Sequence, residues 1–344
     1  MAKRKKATRQ QRLVQLCAIL IFCAAALTGG YHCIVRPINI NSDPPVIARP
    51  GSDQQDPPPQ QEPGTTDPAP VDPDPPPAFT NRDNCFNILV VGLDDGNGGS
   101  DTNILVQLDV GRGVIHATSL PRDTLINVNW NVKKLNSAYN VGGVDRVMTE
   151  VSRLLGIRVD RYVSVNLKGF VELVNAIGGV DFDVPIDMDY DDPVQDLHIH
   201  FKKGHRHLTG QEALGVVRFR HNNDGTGYGT EDIGRIGTQQ AFLKAVAKKM
   251  LSSLTIDTIA SYVDIFSKYI KTDLTTGNLV WMATQTLSIG MDNIHFHTLP
   301  GDGAGLYEGR SYYVLDPEAT VALVNEAMNP YNEPLTLEDM DILY

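Results

Sequence analysis

The 344-residue chain predicts a layered domain of the α/β or α+β class. Near-continuous apolar runs recur, as in strands buried on both faces. Between them, apolar residues at spacings of three and four mark amphipathic helices. Glycine and proline clusters punctuate the two kinds of segment.

Taken in order, Phe86–Leu93 (FNILVVGL), Asn103–Val110 and Val114–Ser119 read as strands. Val144, Val147, Val151 and Leu154 then recur at helical spacing, which predicts a helix over Gly143–Leu155. Tyr162–Leu167 is a strand, Phe170–Ile177 a short helix stopped by Gly178 and Gly179, and Val180–Val184 a strand again. Further helices are expected over Gly210–Val217, Glu231–Leu254, Asp257–Ile270 and Thr275–Leu287. A strand at Asn293–Leu299 and a helix at Pro317–Ala327 close the chain, and no internal repeat is visible.

Ahead of this domain the texture differs. Residues 1–12 hold six cations and no acid, and predict a basic cytoplasmic tail. Residues 13–35 are mostly apolar, with a core from Leu13 to Leu27, and predict a transmembrane anchor. Ala24–Ala26 would suit a cleaved signal peptide, but the apolar character continues past them, which favours the anchor. Residues 36–84 are rich in Pro, Asp and Gln and predict an extracellular linker that buries no core. Such a chain gains about 3.1 Å per residue when extended. Residues 85–344 form the extracellular domain.

The formal net charge is −11, and is more negative once the basic tail is set aside. That acidity argues against nucleic acid as a partner, which demands a basic footprint. Four cysteines make neither a disulfide framework nor a metal spacing.

Two clusters can carry chemistry. After the first strand comes Gly92-Leu-Asp94-Asp95-Gly-Asn-Gly-Gly-Ser100-Asp101. Carboxylates at both rims of such a loop, Asp94 and Asp101, can converge on a hard cation. Asp and Gly are also ordinary turn formers, and on the loop alone the turn is the better reading. The third strand runs into Pro121-Arg122-Asp123, placing a guanidinium where a strand stops. Lys134, Asn136 and Tyr139 follow just ahead of the expected helix, where a ligand could meet exposed backbone N–H groups.

The second cluster is Arg218-Phe-Arg220, whose alternation puts both guanidiniums on one face of extended chain. Asp232, Arg235 and Gln239 share one face of a helix. Arginine suits phosphate oxygens through its planar fork. An exposed salt-bridge lattice is the alternative. His198, His200, His205 and His207 also cluster, but no Cys or carboxylate stands at a matching zinc spacing, so a surface strand and turn is preferred. No nucleophile elbow and no Ser/His/Asp order is present.

These pieces resemble the LytR–CpsA–Psr family of cell-wall enzymes over about Asn87 to Leu251. The resemblance rests on NILVVGLDD, SDTNILV, SLPRDT, KLNSAY, KGHRHLTGQEALGVVRFRH and DIGRIGTQQ. It implies an α-β-α sandwich with a central mixed sheet and a hydrophobic pocket for a polyprenyl tail. It also implies an enzyme: a phosphotransferase that moves a glycopolymer from an undecaprenyl-pyrophosphate carrier to the C6 hydroxyl of N-acetylmuramic acid in peptidoglycan, at the outer face of the cytoplasmic membrane. The alternatives are a polyprenyl-pyrophosphate hydrolase and a non-catalytic, membrane-tethered lipid-binding module.

By motif, Asp94 and Asp101 would hold Mg²⁺ or Mn²⁺. Arg122, Arg218, Arg220 and Arg235 would grip the pyrophosphate, with Lys134 and Gln239 beside it. Asp232 would orient an arginine or assist the acceptor hydroxyl, and Asp123 is a second candidate for that base. Two positions depart from the family pattern: Gly99 and Thr238 stand where many members have arginine. Each lost charge-assisted contact costs about 1.5–3 kcal/mol. The stretch from His221 to Glu231 also looks longer than usual.

Overall fold

The computed structural model describes residues 37–38, 79–93, 99–193, 197–228, 231–253 and 268–344. Among these, no helix is long and apolar enough to cross a membrane. The expected tail and anchor lie outside the described residues, as does nearly all of the linker before Phe79 and most of the helix expected over Asp257–Ile270. Ile270 itself begins a strand.

A six-stranded mixed sheet forms the centre. Its first three strands are β1 (Cys85–Leu93), β2 (Ser100–Asp109) and β3 (Val114–Leu120). They pair antiparallel in a meander. β4 (Arg161–Asn166) joins β1 in parallel, and the short β9 (Ile270–Thr272) closes that edge antiparallel. β10 (Ile294–Thr298) lies parallel to β3 at the other edge.

The apolar runs alternate between two cores because successive side chains leave a strand on opposite faces. Leu89, Val91, Leu105 and Leu120 pack on one face with helices α1 (Leu135–Leu155) and α6 (Pro317–Ala327). Phe86, Ile88, Leu108 and Ile115 pack on the other with Trp281 of α5 (Thr276–Ile289). Helices on both faces of a mixed sheet make three layers, as expected.

Helix α1 starts eight residues before the expected Gly143. Its path breaks at Gly142 and Gly143, and Gly143 takes φ +65°, a backbone state that favours glycine. The apolar period begins only after that break, so spacing alone does not mark the first two turns as helix.

A second core is built from helices and a β-ribbon. The ribbon comprises β5 (Val180–Val184) paired with β8 (Gly204–Leu208), and β6 (Met188–Asp192) paired with β7 (Leu197–Phe201). Helices α2 (Leu167–Ala176), α3 (Gly210–Arg218) and α4 (Glu231–Ser253) flank it. Val180, Phe182, Ile199 and Phe201 meet Val216, Phe219 and Phe242 inside. Thr209 caps α3, accepting from Glu212 N–H while the Glu212 carboxylate accepts from Thr209 N–H, which completes a capping box. A hairpin of β11 (Gly301–Tyr307) and β12 (Arg310–Leu315) follows the main sheet.

At one edge, His116 of β3 lies 3.0 Å (Nδ1 to Nε2) from His297 of β10, with the His295 ring tilted against it at 5.4 Å between centres. Burial, with two neighbouring imidazoles, pushes His116 down to about 4, and burial also lowers His297. The folded state therefore binds fewer protons than the unfolded chain. This contribution to stability is fully present above about pH 6.5 and is lost as the pH falls towards 4. After allowance for solvent screening, about 2 kcal/mol is at stake. Urea unfolding at pH 7 and pH 4.5 should show a smaller drop for His116→Gln than for the parent; an equal drop would remove His116 as its source.

Candidate functional site

The site forms at the carboxyl ends of β1 and β3. The β1–β2 register runs from Cys85–Asp109 to Gly92–Thr102, then skips so that Leu93 faces Ser100. Asp101 is the extra residue at this bulge. Bulges re-aim a side chain away from the regular alternation, and here the Asp101 carboxylate meets the Nη1 of Arg122. Arg122 lies two residues beyond β3, and its Nε is 3.4 Å from an oxygen of Asp123. The other Asp123 oxygen is 3.1 Å from Lys134 Nζ. The result is a chain of alternating charge: Asp101, Arg122, Asp123, Lys134. Arg122 and Asp101 are 34% and 35% exposed, so a ligand can reach both.

The backbone beneath this chain is well tied. Thr124 N–H donates to Pro121 O at 3.0 Å and closes the turn that presents Arg122. Leu135 and Asn136, at the start of α1, donate their N–H groups to Thr124 O and Arg122 O, both at 2.9 Å. That corrects the expected anion site at this helix start. Lys134 is the N-cap, Asn136 and Tyr139 lie within the helix, and these two N–H groups are already used in holding the arginine turn.

The second cluster is only partly as expected. Arg218 is the last residue of α3 and not part of an extended segment. Phe219 then turns into the core while Arg220 emerges exposed, so burial of the phenylalanine sets the spacing of the two guanidiniums. Gln239 donates from Nε2 to Val217 O at 3.0 Å, pinning α4 against the end of α3. The backbone of residues 232, 235 and 239 is helical, as expected. Asp94 and the side chains of Asp232 and Arg235 lie outside the described residues.

Both departures from the arginine pattern are structurally settled. A side chain at Gly99 would rest against Asn136 O at 3.5 Å, an ordinary contact, so the position has room for one. Thr238 is 6% exposed and its hydroxyl donates to Gly234 O at 2.9 Å, so a cation there would need a different packing.

The fold adds one neighbour that sequence spacing does not indicate. Tyr312 of β12 lies beside Lys134, whose Nζ is 5.8 Å from the ring centre. The strand is brought there by Tyr313 N–H donating to Asp123 O and Leu125 N–H donating to Tyr313 O, both at 2.9 Å. Nothing in the local sequence of β12 signals this, because the pairing spans almost 190 residues of chain. An open cleft of about 810 Å³ lies farther along β11 and β12, but Asp302, Asp316 and Glu318 line it and would repel a pyrophosphate.

Comparison with known proteins identifies the scaffold. The LytR_cpsA_psr family matches residues 55–329. The chain belongs to the LytR_cpsA_psr family. Its relatives include the polyisoprenyl-teichoic acid–peptidoglycan teichoic acid transferase TagV of Bacillus subtilis, 34% identical over 248 residues. That match covers 68% of this chain and 61% of TagV, so the chain spans about three fifths of that relative. The transferase of the same description named TagU, from Bacillus cereus, is 36% identical over 248 residues, covering 70% of this chain and 77% of its own. The crystal structure of Bacillus subtilis TagV superposes with a TM-score of 0.59 at 27% identity, covering 76% of this chain and all of that one. The mixed central sheet is therefore the family fold, and the Asp101–Arg122–Asp123–Lys134 chain lies within the part of the LytR_cpsA_psr domain that is shared.

Proposed function

We propose that this protein transfers a glycopolymer from an undecaprenyl-pyrophosphate carrier to a muramic acid hydroxyl of peptidoglycan. The observation that carries the reading is the alternating Asp101–Arg122–Asp123–Lys134 chain at the strand ends, on a fold shared with teichoic acid transferases.

The chemistry follows from the charges. The acceptor hydroxyl oxygen attacks the sugar-linked phosphorus and forms a new ester bond. The bond to the bridging oxygen breaks, and polyprenyl phosphate departs with the electron pair. In this reading Arg122 and Lys134 bind phosphate oxygens, and Arg218, Arg220 and Arg235 add to that grip. Asp123 or Asp232 takes the hydroxyl proton, which needs a base within hydrogen-bond reach. Gln239 acts by holding α4 in place.

The half-exposed carboxylate of Asp101, with that of Asp94, the residue after β1 in sequence, would suit a hard cation better than a soft one. Mg²⁺ or Mn²⁺ held there would neutralise charge on the phosphates. Arg122 now occupies Asp101, and pyrophosphate would draw that guanidinium away. We further assign residues 1–12 to the cytoplasm, 13–35 to a single membrane span, and 36–84 to a linker that holds the domain of residues 85–344 outside the cell. The basic, apolar and Pro-rich order of these segments supports that placement.

The test uses the full-length chain in detergent with a polyprenyl-pyrophosphate-linked saccharide and Mg²⁺, with and without peptidoglycan fragments. Metal-dependent release of polyprenyl phosphate together with saccharide joined to the fragment is expected. Release without joining would make the protein a hydrolase. Binding without release would make it a lipid-binding module.

A further inference from the structure

The β-ribbon carries a pattern that the phosphate site does not use. On its exposed face β5 and β6 present Asp181, Asp183, Asp189 and Asp191, and β7 and β8 present His198, His200, His205 and His207. The register sets them in opposed pairs: Asp181 with His207, Asp183 with His205, Asp189 with His200, and Asp191 with His198. Each pair is also joined through its side chains. Carboxylates that linear spacing does not place beside the histidines thus reach them across the ribbon.

The two halves of the ribbon are not equivalent. Among the described residues, three metal-ligating side chains converge at one place, where donor atoms of Asp191, His198 and His200 all lie within 4.8 Å of one another. His200 bridges two carboxylates, with Nδ1 2.7 Å from Asp189 and Nε2 3.4 Å from Asp191. The β5–β8 half has the same pairs, Asp181–His207 at 2.8 Å and Asp183–His205 at 3.1 Å, but no such three-donor group. A general electrostatic role for surface His–Asp pairs would predict the same arrangement in both halves.

The backbone under the three donors is held in place. Asp189 N–H donates to Asn222 Oδ1 at 2.6 Å and Asp191 N–H to Asn223 Oδ1 at 2.7 Å. Asn223 in turn donates its own N–H to Asp189 O and its side-chain amide to Asp191 O, both at 3.1 Å. Asn222 and Asn223 therefore buttress the strand that bears the carboxylate. Closing the three donors to metal-ligand separation needs only side-chain rotation on a fixed hairpin.

We propose that Asp191, His198 and His200 bind one divalent transition-metal ion of the zinc class, with a fourth position left to water or an exogenous donor. Two imidazoles and one carboxylate are the donor set for zinc-class ions, whereas Mg²⁺ and Ca²⁺ prefer all-oxygen sites. Asp189 holds the His200 ring, as carboxylates commonly do for ligating histidines. The ion would staple β6 to β7.

The test titrates full-length, metal-stripped protein with Co²⁺ and Zn²⁺ in excess Mg²⁺, so that the phosphate-site carboxylates are already supplied with a hard cation. One equivalent of Co²⁺ is expected to give the visible absorption of a four-coordinate centre, displaced by Zn²⁺. His198→Gln with His200→Gln should abolish it, and Asp189→Ala should weaken affinity about 10- to 100-fold. His205→Gln with His207→Gln should retain it, while circular dichroism checks the fold of every variant. No stoichiometric uptake by the parent, or equal loss in both histidine pairs, would overturn the site.

Discussion

Arg122→Ala is expected to lower metal-dependent release of polyprenyl phosphate by about 10²–10³-fold, the scale of losing one aimed cation in a charge-developing transition state. The guanidinium sits at a strand end between two carboxylates, on a turn fixed by Thr124, Leu135 and Asn136. Its partners Asp101 and Asp123 are 35% and 40% exposed, and ion pairs so exposed contribute about 0–1 kcal/mol to stability. The melting temperature should therefore hardly move while turnover collapses. Arg122→Lys should recover only part of the loss, because an ammonium cannot reproduce the planar fork. Asp101→Ala should also be strongly impaired, and the double variant should lose less than the product of the two single losses, since the residues act as one unit. Full turnover in Arg122→Ala would remove this cluster from the chemistry.

The second large effect lies at the opposite end of the sheet. Arg158 and Asp160 form an ion pair with side chains 6% and 2% exposed. Asp160 also accepts Asn87 N–H at 2.7 Å, and Asn87 Nδ2 donates to Arg158 O and Met328 O, each at 2.9 Å. Arg158 further contacts Asn81, so the pair ties the start of β1 to the entry of the domain and to its C-terminal segment. Burial pushes the Asp160 carboxyl up even against the pull of Arg158 and Asn87. Arg158→Ala removes the main opposing cation, and breaking such a pair typically costs about 3–5 kcal/mol.

The sign with pH is opposite to that of His116. A carboxyl raised in the folded state favours folding at low pH and loses that contribution as the pH rises through its folded value. The Arg158→Ala defect in urea unfolding should therefore be smaller at pH 5 than at pH 8, and adding Asp160→Asn should recover part of it. A defect below about 1 kcal/mol, the range of surface pairs, would mean that the pair does not support the fold.

Much was legible in the sequence because it depends on neighbours along the chain. The apolar runs at Phe86–Leu93 and Val114–Ser119 are strands in the structure, and the three- and four-residue spacing of Val144 to Leu154 is a helix. Pro121-Arg122-Asp123 reads as a strand-end turn and is one. Where the apolar period breaks, at Gly142–Gly143 in α1, it no longer marks the helix; Ile270 is a strand residue because it pairs with Val165 of β4.

Register and long-range pairing were decided by the tertiary structure. Whether Asp101 falls on a regular strand or in a bulge depends on how β1 meets β2. Tyr312 reaches Lys134 only because β12 hydrogen-bonds beside Asp123. Asp191 faces His198 because β6 pairs with β7 in one register, and a slip of one residue would turn these donors into the core. Linear spacing carries strand period and helix face. It does not carry which strand lies opposite, because that choice is made by packing both faces of the ribbon and the sheet at once.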